Sequence, residues 1–281
     1  MLTIFRRKFI KNWLMILGWG VGLGLLGWFM LDIYETFFEQ NIDFAQYLQA
    51  FPEEMFAFLG GSSDLLSPET FLGIEFFSYI PLILGIMVVT SASKLITKKE
   101  EDGTLEVILA QPISRSAVFW SNLLALILTL VLILTITWGG FAISLTDVKA
   151  FELTQAQLFR PFVSLFAILL IFLSLSLMLS MILPSGGVAG LVTGFLLIAS
   201  YFITSLSRIN EDLQVANRFS PMKYYQGAEA MSGLNADFLL ILFGWSVLFI
   251  GIAWFFFVKR DLRFGGAGGL RVVFPKKERE K

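Results

Sequence analysis

KKEEDGTLEVILAQPISR, residues 98–115, stands between two long apolar runs, and its reading decides how the rest of the chain is understood. It holds four acids (Glu100, Glu101, Asp102 and Glu106), one glycine and one proline. Asp102 or Thr104 can cap a short helix, with Gly103 easing the turn before it. Leu105, Ile108 and Leu109 recur at helical spacing and give that helix one apolar side. Pro112 ends it, and Ser114 can cap the helix that follows. KKEED alone reads as a solvated charge run. The longer pattern reads as a short amphipathic helix held between two rigid apolar segments.

The flanks define the solvent. Of 281 residues, 56% are hydrophobic and only 15% are charged, with 30 Phe and 7 Trp. Soluble domains run nearer about 45–50% apolar, so lipid must cover most of this surface. Cysteine and histidine are both missing. That excludes disulfides, thiolate chemistry, Ser-His-Asp triads and imidazole proton relays. The net charge of −1, with no basic patch interleaved with aromatics, gives no sign of nucleic-acid binding.

The expected fold is an all-α integral membrane protein, with 1–281 as a single transmembrane domain. Six spans are assigned to residues 13–31, 71–93, 116–145, 161–183, 187–207 and 238–258. Residues 1–12 put Ile4, Phe5, Phe9 and Ile10 opposite Arg6, Arg7, Lys8 and Lys11, which predicts an amphipathic interfacial helix. The run 13–31 exceeds the apolar core of a signal peptide, about 7–15 residues, and no small-residue cleavage site follows. Residues 259–281 form a basic tail. Between Asp32 and Thr70 lies an acidic stretch without Lys or Arg, read as a solvated loop because its acids lack calcium-loop spacing.

Local punctuation refines this. Pro81 is expected to bend the second span, and Pro184-Ser185-Gly186-Gly187 to turn the fourth into the fifth. Ser220-Pro221 reads as a cap for a helix carrying Tyr224 and Tyr225 to Gly233. Gly18 and Gly22, with Gly20 and Gly24, are spaced for close helix approach, as are Gly186, Gly190 and Gly194.

Charge sets the orientation. With six spans, the amino end, the 94–115 loop and the tail share one side and hold sixteen of the 21 Lys and Arg. The positive-inside rule then predicts both termini, and the 98–115 loop, in the cytoplasm.

Glu101, Gly103, Thr104, Leu105, Glu106, Leu109, Pro112, Ser114 and Arg115 together resemble the E-x-G-T-L-E-x-x-L-x-x-P-x-S-R signature of ABC transporter permeases of the type-2 exporter group. The layout is similar too: an amphipathic start, a sizeable first outer loop, and the signature between spans two and three. The resemblance implies a coupling helix that seats in a separate ATPase subunit. Glu100, Glu101, Gly103, Thr104, Leu105 and Glu106 would form its start, Ile108 and Leu109 its grip, and Pro112 and Arg115 its close. Leu105, Ile108 and Leu109 are expected to be the docking knobs. It further implies a second permease subunit, a copy or a sister chain, and a place in the inner (plasma) membrane of a prokaryote. No G-x-x-x-x-G-K-[ST] phosphate loop occurs in the chain, so no cofactor is expected here; ATP and Mg²⁺ belong to the partner ATPase.

The expected activity is therefore ATP-driven export of an amphipathic or hydrophobic substrate, with no catalytic or metal-binding residue in this chain. Two alternatives stand: a non-transporting membrane component of a sensor or assembly complex, and an intramembrane enzyme. The second would call for ionisable groups at mid-depth, which the spans lack.

Overall fold

A computed structural model describes residues 2–39, 53–59, 67–146 and 153–259, and every regular element among them is helical. The helices are α1 (Leu2–Lys11), α2 (Trp13–Glu39), α3 (Glu53–Leu59), α4 (Pro68–Leu72), α5 (Ile80–Ser93), α6 (Thr97–Glu101), α7 (Thr104–Leu109), α8 (Arg115–Ser144), α9 (Gln155–Ile182), α10 (Gly186–Leu206), α11 (Gln214–Asn217) and α12 (Ala236–Lys259). Six helical stretches, those begun by α2, α4, α8, α9, α10 and α12, are long and apolar enough to cross a membrane. Most of the acidic loop and all but the first residue of the basic tail lie outside the described residues.

Side-chain caps fix where the spans begin. The Ser114 hydroxyl accepts from the Ala117 amide and starts α8, and the Ser185 hydroxyl accepts from the Val188 amide and starts α10. Thr154 and Gln157 form a reciprocal capping box, so α9 starts several residues before the apolar run and takes in Arg160. The second span departs from a single helix bent at Pro81. It is broken earlier, by a π-helical turn at Gly73–Phe77, and Pro81 sits in the first turn of α5, where its missing donor costs nothing.

α9 is the hub, packing on α5, α8, α10 and α12, while α2 lies along α8. Lipid tails are as apolar as leucine, so close fit rather than water exclusion holds such helices together. The fit is tightest between α2 and α8. A Cβ on Gly140 would overlap the Gly24 carbonyl oxygen, and one on Gly27 would overlap the Phe141 ring. Phe141 in turn packs edge-on against Phe76 at 4.8 Å between centroids, and Phe162 joins them.

Within the chain, the glycines expected at helix contacts divide into two groups. Around Gly18, Gly22 and Gly194 nothing lies within 4 Å of where a Cβ would stand. The helix rotation that turns Gly20, Gly24 and Gly27 toward α8 turns Gly18 and Gly22 away from it. On α10 the approach is at Gly186, against Thr97 and the Ser93 carbonyl, and at Gly190, against the Ser93 hydroxyl.

The Ser220 expectation is corrected. Pro221–Tyr224 and Gly227–Met231 are two separate 3₁₀ turns, not one helix to Gly233. The Ser220 hydroxyl donates to the Ser200 carbonyl (3.1 Å) and bonds the Thr204 hydroxyl (2.8 Å), so it ties the loop to α10 instead of capping.

Contacts sort the bundle ends: Gly186 against Ser93 and Thr97, Lys99 on Asn122 and Arg115 on Val258 mark a basic end, while Arg160 on Met231 and Tyr201 beside the 3₁₀ turns mark the far end.

Candidate functional site

The 98–115 segment lies at the basic end as two short helices, α6 and α7, joined at Asp102-Gly103. Its root is deeply set. Leu95, Ile96 and Thr97 are buried, and the Thr97 hydroxyl donates to the Ser93 carbonyl at 2.7 Å. Gly103 has φ +67°, a left-handed conformation that glycine adopts without steric cost. α7 starts directly after it with no side-chain cap, contrary to the expectation for Asp102 or Thr104. The Thr104 hydroxyl instead reaches back to the Lys99 carbonyl (3.3 Å) and folds α7 against α6.

The apolar side of α7 faces inward. Leu105 is only 1% exposed, and Ile108 and Leu109 pack partly buried against the same core. These three therefore fasten α7 to its own protein, and Leu105 has no surface to offer a partner. Their helical spacing was legible in sequence, but spacing does not say on which side the apolar stripe finds its cover. The side turned outward carries Glu101, Asp102, Thr104, Glu106, Val107, Ala110, Gln111 and Pro112, with Glu100 buried beneath it. Val107 is 66% exposed and is the apolar centre of that face.

Two polar contacts brace the segment, and two more brace the helices around it. The Lys99 amine donates to Asn122 Oδ1 on α8 at 2.5 Å. Arg115 donates to the Val258 carbonyl at the end of α12 (3.4 Å), and the Trp254 indole donates to the Ser116 hydroxyl (3.1 Å). Asn12, at the α1–α2 junction, donates to the Thr129 hydroxyl, also on α8 (3.1 Å). The loop is thus tied by side-chain bonds to α8 and α12 and presents one polar, acidic face with a small apolar centre. Such a face can transmit a push.

A family model described as "ABC-2 family transporter protein" matches residues 9–262. The chain belongs to the ABC-2 family. It is a multi-pass membrane permease, and membership implies an ABC ATPase as its associate. The comparison with individual curated proteins returned no match.

Sequence reading passed over Asn122 and Asn12 in this ABC-2 permease. The available signal was an asparagine within, or at the edge of, a charge-free apolar run, where an unpaired amide is costly and a partner must exist. At the far end the permease holds a cavity of about 230 Å³ between α3, α10 and the 3₁₀ turns, with Phe58, Glu69, Tyr201, Arg208, Tyr225 and Glu229 among its walls. The Tyr225 hydroxyl, beside it, donates to the Phe77 carbonyl at 3.1 Å, and burial pushes its pKa up.

Proposed function

We propose that this ABC-2 permease is the membrane-spanning half of an ATP-driven exporter of an amphipathic or hydrophobic substrate, driven by a separate ATPase that docks on residues 100–115. One observation carries the reading: α7 is bolted to the bundle by Leu105 while its opposite face, centred on Val107, stands free. A lever needs both properties. Force applied to Glu106 and Val107 passes through Lys99 and Arg115 to α8 and α12, so the spans move with the loop.

The sixteen-to-five charge bias supports a cytoplasmic place for this loop and both termini, with α1 at the membrane surface. ATP and Mg²⁺ are held by the partner, and this chain performs no hydrolysis. A second permease subunit completes the translocation path; Gly18 and Gly22 on α2 and Gly194 on α10, open to close approach, are suited to receive it. The two states of the bundle must bind the cargo differently, since only differential affinity couples ATP to movement.

The test is co-purification with a candidate ATPase, followed by a screen for compounds that stimulate hydrolysis. Glu106→Lys with Val107→Asp is expected to abolish that stimulation while the permease still inserts and folds. Unchanged stimulation in the double variant would overturn the docking assignment.

A further inference from the structure

The strongest unassigned feature is a cluster of cations where α1 and α6 are both anchored to α8. Two anchors on α8 create it: Asn12 on Thr129 holds the end of α1, and Lys99 on Asn122 holds α6. The charges of Lys8, Arg7 and Lys11 repel that of Lys99, and those of Lys11 and Lys98 repel that of Lys8. Lys8 and Lys99 are half-buried, and among the described residues neither they nor Arg7, Lys11 or Lys98 pairs with an acid. A charge bias that only set orientation would leave its lysines spread in water. Here they are gathered and partly withdrawn from it, which costs Coulomb energy unless an anion sits among them.

The surroundings say where that anion comes from. Leu2, Ile10, Trp13 and Leu14 are each at least half exposed beside the cations, an apolar rim with an interfacial tryptophan. We propose that Arg7, Lys8, Lys11, Lys98 and Lys99 form a headgroup site for an anionic phospholipid of the cytoplasmic leaflet. The phosphate bridges α1 to α6 while the acyl chains run along α2. Through the Thr104–Lys99 contact, an occupied site steadies the docking helix α7. The leaflet rests on the sidedness proposed above; the site itself does not depend on any ATPase.

The test uses the full chain in nanodiscs of phosphatidylcholine alone or with phosphatidylglycerol, read by thermal unfolding and by native mass spectrometry of retained lipid. Phosphatidylglycerol is expected to raise the unfolding temperature and to co-purify preferentially. Lys8→Gln with Lys98→Gln should weaken its retention roughly tenfold or more and remove the increment, while stability in phosphatidylcholine holds or rises. Arg7→Gln with Lys11→Gln, both exposed, repeats the test should the first pair fold poorly. Arg208→Gln with Lys223→Gln, at the far end, should leave the response intact. Equal stabilisation by both lipids, a response retained in both cluster variants, or full replacement by inorganic phosphate would overturn the proposal. None of these outcomes bears on ATPase docking, which is read by stimulated hydrolysis.

Discussion

The amine of Lys99, in the loop, lies 2.5 Å from Oδ1 of Asn122, a residue of α8 with no exposed surface. Asn122 in turn gives its amide to the Val118 carbonyl, one turn back along the same helix (2.7 Å). A hydrogen bond to a charged group contributes about 1.5–3 kcal/mol, and an orphaned buried partner costs more than the bond is worth. Asn122→Leu is therefore expected to lower the unfolding free energy by about that amount. Lys99→Met in the same chain should recover most of the loss, because neither partner is then left unmet. Strictly additive losses in thermal unfolding would show that the pair does not interact.

The two faces of α7 make opposite predictions. Leu105→Ala removes buried volume and should destabilise the permease by about 2–4 kcal/mol. Val107→Asp, on the outward face, should change stability by less than about 0.5 kcal/mol yet reduce partner-stimulated ATP hydrolysis sharply. A reversed ranking in melting and hydrolysis assays would place the docking surface on the apolar side after all.

At Gly103 the constraint is the backbone alone. No atom lies within 4 Å of where a Cβ would stand, but φ is +67°. Gly103→Ala should cost about 1–2 kcal/mol, the penalty for a left-handed L-residue. Gly103→Asn should cost less, since asparagine visits that region more readily. Equal melting temperatures for all three chains would mean the turn can relax.

The six spans were legible because lipid imposes a length and forbids charge, and those two rules act locally along the chain. The helix start at Ser114 was legible for the same reason, as short-range cap chemistry. What sequence could not supply was rotation about each helix axis. Gly18/Gly22 and Gly20/Gly24 have identical spacing, yet only the second pair meets α8; Leu105 belongs to an ideal amphipathic stripe, yet it points home. The π-turn at Gly73–Phe77 leaves no mark in hydropathy, so Pro81, the visible breaker, drew the bend to the wrong place.

The rotation of α2 can be read experimentally. Gly140→Ala would drive a methyl into the Gly24 carbonyl, a backbone atom that can yield only if the helices part. Separation of α2 from α8 should cost about 2–3 kcal/mol of packing, in the range of an overfilled core. Gly18→Ala meets open space within the chain and should leave monomer stability unchanged. If Gly18→Ala instead weakens association between permease copies, as measured by cross-linking yield, that face of α2 is the subunit contact.

Tyr225 makes stability depend on alkaline pH, and the sign is fixed by its burial. The phenol's ordinary pKa is 10.0, and burial raises it in the folded protein. Between pH 10 and the raised value the unfolded chain has lost the proton while the folded one keeps it. Unfolding then releases a proton, so its contribution to stability is complete below about pH 10 and declines as pH rises beyond it, by up to about 1.4 kcal/mol per pH unit. Tyr225→Phe cannot titrate. At pH 8 the variant should be about 1 kcal/mol less stable, having lost the bond to the Phe77 carbonyl. Above pH 10 its unfolding temperature should fall less steeply than that of the native chain, and the two curves should converge. Parallel curves from pH 8 to 11 would mean that the Tyr225 hydroxyl is as well solvated in the fold as out of it.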